Sequence, residues 1–288
     1  MNTSSDVAAA ALSDVVPGAG GEQSSVAADA GSGAERRDRQ AGLTGATTYA
    51  GEPPFGQLPN QDAFRPDGAS DGGRPGYAFS RRLVCLSAPE GAAAASYRSL
   101  QTYLLARHIG DGRRGLALCS PQIGSGCTTV AVNLALACAQ AGINTLLVDA
   151  NLTRPAVHQF IAPADRVAGL AEMLMADSAG RVDEIRRDIR PNLSVLFAGG
   201  LTLGAAGLVP QQRRFKDIMD ACMRSFDFTI VDAPATGGAT DARHVAMSVR
   251  YAMIVARRDV TLLADMKRTA DELSSDRVKL AGSFLTDF

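Results

Sequence analysis

Residues 116–142, LALCSPQIGSGCTTVAVNLALACAQAG, combine three features in a fixed order. An apolar run of strand length ends at Cys119, a turn of small residues follows, and a helix is predicted to open at Cys127. Glycines let backbone N–H groups approach an anion, and a helix N-terminus adds the positive end of its dipole. The segment therefore predicts a phosphate-binding loop. Its candidate nucleotide-binding residues are Gly124, Ser125, Gly126, Cys127, Thr128 and Thr129.

The nucleotide-binding motif in this loop is incomplete. In G-x-x-x-x-G-K-[ST] the lysine reaches the β- and γ-phosphates and the hydroxyl binds magnesium. Here Gly126 and Thr128 fit, but Pro121 holds the place of the first glycine and Cys127 that of the lysine. A charge-assisted hydrogen bond contributes about 1.5–3 kcal/mol, so ATP or ADP with magnesium is expected to bind weakly. The chain has only three lysines that could replace the lost cation: Lys216, Lys267 and Lys279. Lys216 belongs to a basic amphipathic stretch that is typical of a surface helix.

Cys127 allows two interpretations. A thiol at a helix N-terminus can have a lowered pKa and serve as a redox switch. Alternatively, the lysine was lost because catalysis was dispensable, and no resolving cysteine is evident in the sequence. The five cysteines form no CxxC pair, so we expect reduced thiols, with Cys119 and Cys138 as small apolar residues inside the protein. The three histidines show no metal-ligand spacing and are expected at the surface or in loops.

Beyond residue 81, apolar runs of strand length alternate with amphipathic stretches of helix length. This alternation predicts a three-layer α/β domain with a mostly parallel sheet that is buried on both faces. Strands are predicted near 115–120, 145–149, 193–198, 227–232, 251–256 and 280–285. Helices are predicted near 94–108, 127–141, 168–176, 181–187, 211–224, 240–248 and 261–274.

The first quarter of the chain has a different composition. Residues 1–76 are rich in Gly, Ala, Ser, Asp and Pro, and they show no period of strand or helix. Such a segment cannot bury enough apolar surface to offset its ordering entropy. We therefore expect a disordered arm over 1–76, either a tether or simply a solvated tail, and one folded domain over 77–288. No apolar window is long enough to cross a membrane, no secretory signal is evident, and no basic stripe indicates nucleic-acid binding.

Two acids end predicted buried strands. Asp149 follows TLLV and Asp232 follows FTIV. Asp232 occupies the position where the Walker B carboxylate of a P-loop protein would contact magnesium through water, and Asp149 ends its strand in the same way. Thr128, Asp149 and Asp232 are candidate magnesium ligands, and the two acids are candidate catalytic residues. The alternative is that each carboxylate caps the loop that follows its strand.

The order of these segments resembles bacterial tyrosine kinases, the ParA/MinD-like P-loop proteins that partner polysaccharide co-polymerases. The similarity covers residues 85–286 and includes the helix SYRSLQTYLLA at 96–106. It continues in GLAEMLMA at 169–176, PNLSVLFAGG at 191–200 and FDFTIVDAPATGGATDARHVA at 226–246. The resemblance implies a P-loop fold, ATP and magnesium as ligands, and a role in capsule or exopolysaccharide synthesis and export.

The departures from the family pattern concern the chemistry. In the family's D-x-D-x-R segment Asp149 remains, while Asn151 and Thr153 replace the second acid and the arginine. Of the family's E-x-x-R-x-x-R subunit contact only the middle residue, Arg98, is kept, while Ala95 and Gln101 replace the outer glutamate and arginine. The sequence ends at Phe288 without a tyrosine cluster, which predicts no cluster autophosphorylation.

Three functional hypotheses follow from the resemblance and these departures. The first is a pseudo-kinase that regulates polysaccharide export by binding the cytoplasmic part of a membrane co-polymerase. The second is a working ATPase or tyrosine kinase with a divergent site, and the third is a ParA-like spatial organiser. The expected location is the cytoplasm, peripheral at the inner membrane through a partner, whereas the spatial organiser would associate with membrane or polymer machinery through the arm. Homo-oligomers are possible by resemblance, and no nucleic acid is expected to bind.

Overall fold

The computed structural model describes residues 63–64, 76–175, 184–200, 211–237 and 240–287. The strands are β1 Ala63–Phe64, β2 Tyr77–Ser80, β3 Gly115–Cys119, β4 Thr145–Asp149, β5 Ile161–Pro163, β6 Arg186–Arg190, β7 Leu193–Leu196, β8 Phe228–Asp232, β9 Tyr251–Arg257 and β10 Lys279–Thr286. The α-helices are α1 Val84–Ser87, α2 Ala92–Leu104, α3 Cys127–Gln140, α4 Leu170–Met175, α5 Gln212–Ser225, α6 Thr240–Val249 and α7 Leu263–Ser275. A π-helical turn over Leu105–Ile109 continues α2, and a 3-10 turn spans Val157–Gln159.

Seven strands form the central sheet, in the order β10-β9-β3-β8-β4-β7-β6. Every neighbouring pair is parallel except β6 and β7, which are antiparallel. The three-layer, mostly parallel α/β architecture is therefore confirmed. All six strands predicted from apolar runs are present, and no described helix is long and apolar enough to cross a bilayer.

Two cores lie on the two faces of the sheet, because successive side chains of a strand point to opposite sides. Leu116 and Leu118 of β3 belong to the core that α2 and α3 cover. Ala117 and Cys119 of the same strand belong to the core that α5 and α6 cover. The four side chains are fully buried, which explains why the strand is continuously apolar in sequence.

One predicted helix is wrong where the structure describes it. Residues 184–187 were expected to belong to a helix over 181–187, but Arg186–Arg190 form β6 at the edge of the sheet. Residues 181–183 lie outside the described residues. An edge strand is covered on neither face as fully as a central one, so this arginine-rich segment carries no apolar alternation that would predict a strand.

A second, three-stranded antiparallel sheet has the order β1-β2-β5 and has no counterpart in the sequence prediction. Ala63 and Phe64, from the segment expected to be a disordered arm, pair with Ser80 and Phe79. The strands of this sheet are two to four residues long, which is too short for a period to be recognised. The remaining residues of the arm before 76 lie outside the described residues.

His108 is buried, which corrects the expectation of a surface or loop position. The π-helical turn after α2 directs the imidazole inward, where only 1% of the residue is exposed. Its Nε2 lies 2.9 Å from the carbonyl oxygen of Gly115, and its ring meets those of Phe228 and Tyr251 edge-on. His108 therefore closes the core beneath the amino end of β3.

Asn133 is the buried polar residue that attaches the segment before α2 to α3. Its Oδ1 accepts from the backbone N–H of Cys85 at 3.3 Å, and its Nδ2 donates to the carbonyl of Arg82 at 3.2 Å. Asn133→Ala is expected to lower the free energy of unfolding by about 1–3 kcal/mol, because it leaves the buried backbone N–H of Cys85 without its partner. Urea denaturation of the full chain measures this loss.

The matched control is Gln140→Ala. The Gln140 amide also bonds this segment, by donating to the carbonyl of Cys85 at 3.1 Å, but Gln140 is exposed and water can replace it. We expect a loss below about 1 kcal/mol for this variant. Equal losses for the two variants would contradict the role given to Asn133.

Candidate nucleotide site

The loop between β3 and α3 has the backbone conformation that a phosphate-binding loop requires. Gly124 and Gly126 have φ of 85° and 84°, a left-handed region that side-chain-bearing residues rarely adopt. Gly126 is the N-cap of α3, so the first N–H groups of this 14-residue helix face the loop. Gly124, Ser125, Gly126, Cys127, Thr128 and Thr129 are thus assembled around one helix N-terminus.

The loop is braced by residues from distant parts of the chain. The Thr286 hydroxyl donates to the carbonyl of Ser125 at 3.0 Å, and the backbone N–H of Gly237 donates to the carbonyl of Pro121 at 3.1 Å. A Cβ at Gly237 would lie 2.7 Å from that same carbonyl oxygen. Gly237 is therefore required by the close approach of two backbones, and sequence reasoning missed both braces because their partners lie more than 100 residues away.

The thiol of Cys127 is directed into the loop. Its Sγ donates to the carbonyl of Leu118 at 3.2 Å, and the Asp232 carboxylate lies beside it. Burial, followed by the negative charge of Asp232, raises the pKa of the Cys127 thiol well above its usual value. The raised pKa favours the protonated thiol and disfavours the redox-switch interpretation, which needs a lowered pKa.

Thr128 and Asp232 meet in front of the loop. The Thr128 hydroxyl donates to Asp232 Oδ2 at 2.6 Å, and Asp232 is only 1% exposed. Its other oxygen, Oδ1, is buried and has no hydrogen-bond partner among the described residues. A buried carboxylate oxygen without a donor is costly, so this atom marks a position where a cation would be stabilised.

Asp149 lies opposite Asp232 in the register of β4 and β8. Its carboxylate accepts three backbone N–H groups, from Asn151 at 3.2 Å, Ala156 at 3.1 Å and Val157 at 3.0 Å. Asp149 therefore caps the loop that follows its strand, as one of the two interpretations of the sequence expected. Asp232 keeps an oxygen without a hydrogen-bond partner among the described residues. The two carboxylates still share one buried site at the carboxyl edge of the sheet.

Burial raises the pKa of both carboxyl groups. For Asp149 the nearby charge of Asp232 adds to the effect of burial, while its backbone hydrogen bonds oppose it. For Asp232 the hydrogen bond from Thr128 and the nearby Cys127 thiol oppose the effect of burial. Two carboxylates and one hydroxyl are hard oxygen donors of the kind that magnesium prefers. The described residues contain no group of three His, Cys, Asp or Glu side chains that could hold a metal, so a cation here would also need water or phosphate oxygens.

Several known proteins are similar to this chain in sequence and in fold. No protein-family model matches the chain. The chain is 27% identical over 207 residues to EpsB of Ralstonia nicotianae and 23% identical over 210 residues to the tyrosine-protein kinase YwqD of Bacillus subtilis. The homologues are bacterial tyrosine-protein kinases. The chain is also 29% identical over 184 residues to the succinoglycan biosynthesis transport protein ExoP of Rhizobium meliloti.

The share of each relative that is matched differs widely. The alignments cover 72%, 73% and 63% of this chain for EpsB, YwqD and ExoP. They cover 26% of EpsB and 23% of ExoP, but 87% of YwqD. The chain therefore spans about a quarter of the longer relatives.

Solved structures agree on the fold. The kinase domain of the Escherichia coli tyrosine kinase ETK superposes with a TM-score of 0.64 at 22% identity, covering 71% of this chain and 79% of that domain. The cell-division ATPase MinD of Pyrococcus furiosus gives a TM-score of 0.51 at 24% identity, covering 59% of this chain and 70% of MinD. The P-loop fold of the ParA/MinD type is thus confirmed.

Two residues that depart from the kinase pattern form a turn in this structure. Asn151 Oδ1 accepts the Thr153 hydroxyl and the backbone N–H of Arg154, both at 3.2 Å. Such a turn uses the short amide side chain locally. Asn151 and Thr153 therefore close a loop at the positions where the kinase motif has an acid and an arginine.

The three lysines of the chain all lie in described ranges, and none reaches the loop. Lys216 pairs with Asp220 on the exposed face of α5. Lys279 starts β10 near the ring of Tyr251, at the amino edge of the sheet and opposite the loop. Thr269 of α7 faces the loop, because its hydroxyl lies 3.1 Å from the hydroxyl of Thr236 beside the loop. Lys267 is exposed on the opposite side of α7 and therefore points away from the loop.

Proposed function

We propose that this protein is a tyrosine-kinase-like regulator of exopolysaccharide or capsule biosynthesis that does not transfer phosphate. Its kinase homologues and the relative named as a succinoglycan biosynthesis transport protein support the process. Cys127, at the position of the phosphate-binding lysine, supports the absence of phosphate transfer. Phosphoryl transfer depends on positioning and on charge stabilisation of the transferred group, so loss of this lysine removes a cation on which transfer depends.

The observation that carries the proposal is the inward thiol of Cys127. It is neutral, it is bonded to the carbonyl of Leu118, and no lysine of the chain lies beside the loop. A γ-phosphate would therefore meet backbone N–H groups and the helix dipole, without a side-chain cation from the loop. Such a site is expected to retain weak nucleotide binding and to lack catalysis.

The residues present fit a magnesium ion and a weakly held ATP or ADP. Asp232 Oδ1 is the unpartnered oxygen, and Thr128 and Asp149 supply the neighbouring donors. These three residues would hold the ion, which would offset the charge of the buried acids and of a bound phosphate. The second candidate function, a weak ATPase or divergent kinase, is favoured by this same unpartnered oxygen.

The residues that form the subunit contact in the kinase family are mostly replaced in this chain, which supports binding to a different protein and not assembly into a ring of identical copies. Arg98 donates to the carbonyl of Pro89 within its own chain, and Gln101 is 7% exposed. Gln101 is therefore largely withdrawn from the surface, and the exposed Arg98 is already bonded within its own chain. We propose the cytoplasmic part of a membrane polysaccharide co-polymerase as the partner, which would hold the protein at the inner face of the membrane.

The proposal predicts that polymer production does not need the acidic site. Deletion of the gene is expected to abolish or reduce the polymer, and the double variant Asp149→Ala/Asp232→Ala is expected to restore it to the wild-type level. Polymer yield and phosphotyrosine on the purified full-length chain are the two measurements. Phosphotyrosine formed with ATP and magnesium, together with failure of the double variant to restore polymer at equal protein level, would favour the enzyme instead.

A further inference from the structure

Six cationic side chains surround the amino edge of the sheet, opposite the nucleotide site. β3, β9 and β10 all begin here, and two adjoining cavities of about 440 and 340 Å³ share a wall formed by Asp111, Arg113 and Tyr251. The cations that line these cavities are Arg107, Arg113, Arg114, Arg224, Arg250 and Lys279. No sequence motif marks this group, because its members come from four separate segments of the chain.

The charge of this edge is not balanced by the acids around it. Asp111 and Asp220 are the acidic residues that line the cavities, and Asp220 already pairs with Lys216 outside them. Asp111 pairs with Arg113 at 3.1 Å. The C-termini of α5 and α6 also lie at this edge, and each contributes about half a negative charge. The six cations exceed these contributions, so the edge carries net positive charge.

The backbone at this edge places an arginine where glycine is favoured. α3, α6 and α7 all return to the amino edge, and each is followed by a residue in the left-handed region. After α3 that residue is Gly142, but after α6 it is Arg250, with φ of 72°, and after α7 it is Arg277, with φ of 61°. A residue with a side chain is strained in this conformation. Strain held in place by its surroundings is a reason to look for a role of the side chain.

Exposed apolar side chains lie among the cations. Tyr103 and Leu280 line the smaller cavity and are 41% and 39% exposed. Arg113 and Lys279 both lie over the ring of Tyr251. Cations interspersed with exposed aromatic and aliphatic groups are typical of surfaces that rest on a membrane, where the apolar groups enter the headgroup region.

We propose that the amino edge of the sheet is a docking surface for an anionic lipid bilayer. Its six cations complement the negative headgroups, while Tyr103 and Leu280 contact the acyl boundary. The nucleotide loop lies at the opposite edge of the same sheet, so the two surfaces do not compete. This attachment is direct and adds to any that a membrane partner provides.

The test is sedimentation of the full-length chain with vesicles of phosphatidylcholine, with and without phosphatidylglycerol. Each basic residue near an anionic surface strengthens binding about five-fold. The variant Arg224→Gln/Arg250→Gly/Lys279→Gln is therefore expected to bind the anionic vesicles roughly a hundred-fold more weakly than wild type. Arg250→Gly alone is expected to raise the melting temperature while it weakens vesicle binding, which separates loss of contact from loss of fold.

The matched control removes the same charge elsewhere, as Arg258→Gln/Lys267→Gln/Arg268→Gln. Full retention of binding by this control supports the proposal, as does weaker binding by Tyr103→Ser/Leu280→Ser. Equal binding to neutral vesicles, equal loss in the two triple variants, or no loss in the amino-edge triple would overturn it. Competition by inorganic phosphate with no effect of the apolar substitutions would also overturn it, in favour of a soluble anion.

Discussion

Cys127→Lys is expected to raise the affinity of the full-length chain for ATP with magnesium by about ten- to a hundred-fold. The gain corresponds to one charge-assisted hydrogen bond of about 1.5–3 kcal/mol. The loop that would receive the lysine already has Gly124 and Gly126 in left-handed conformations, and α3 begins at residue 127 itself. Residue 127 is only partly buried, so a longer side chain can leave the space that the thiol occupies. Isothermal titration with ATP and with ADP measures the change.

The control for this prediction is Cys127→Met. Methionine has a length similar to that of lysine but no charge, so it is expected to show no gain in affinity. Phosphotransfer is expected to stay absent in Cys127→Lys, because Asn151 and Thr153 still form a turn where the kinases have an acid and an arginine. Micromolar binding by wild type, or an equal gain with methionine, would show that the missing cation is not what limits binding.

The parts of the site that the sequence predicts are local or follow from strand order. Strand, glycine turn and helix are contiguous from Leu116 to Gly142, so the loop is recognisable without tertiary information. Asp149 and Asp232 end buried parallel strands, and parallel pairing brings such ends together. The fold class and the acidic pair could therefore be predicted.

The parts that were missed depend on contacts between distant residues. Asp149 accepts three N–H groups because the chain after β4 turns back over it. Asp232 keeps an oxygen that receives no such donor from the described residues. His108 is buried because a π-helical turn redirects it, and no periodicity signals such a turn. β6 is a charged edge strand, so its sequence resembles that of a surface helix. In each case the sequence pattern is consistent with two structures, and packing selects one of them.

The buried acidic pair predicts an unusual dependence of stability on pH. Burial raises the pKa of Asp232 from 3.8 to about 6 and that of Asp149 to about 7. Between about pH 4 and pH 7 the metal-free folded protein therefore holds protons that the unfolded chain has released. Stability falls as pH rises wherever the folded state binds more protons, so this contribution is present at low pH and lost as pH rises through the folded pKa values.

Asp232→Asn is expected to raise the free energy of unfolding at pH 8, without metal, by on the order of 2–3 kcal/mol, since each pKa unit corresponds to about 1.4 kcal/mol. The variant removes one of two buried like charges and keeps an oxygen that can accept the Thr128 hydroxyl. Thermal melts from pH 4 to pH 8 test this, and the difference between the two curves isolates the pair from other groups.

Magnesium should stabilise wild type at pH 8 but not the variant, because the unpartnered oxygen is gone. Asp227→Asn, at the exposed residue just before β8, should leave both the slope and the magnesium effect unchanged. A variant less stable than wild type at pH 8, or one that magnesium still stabilises equally, would show that the pair is not the charged cation site described above.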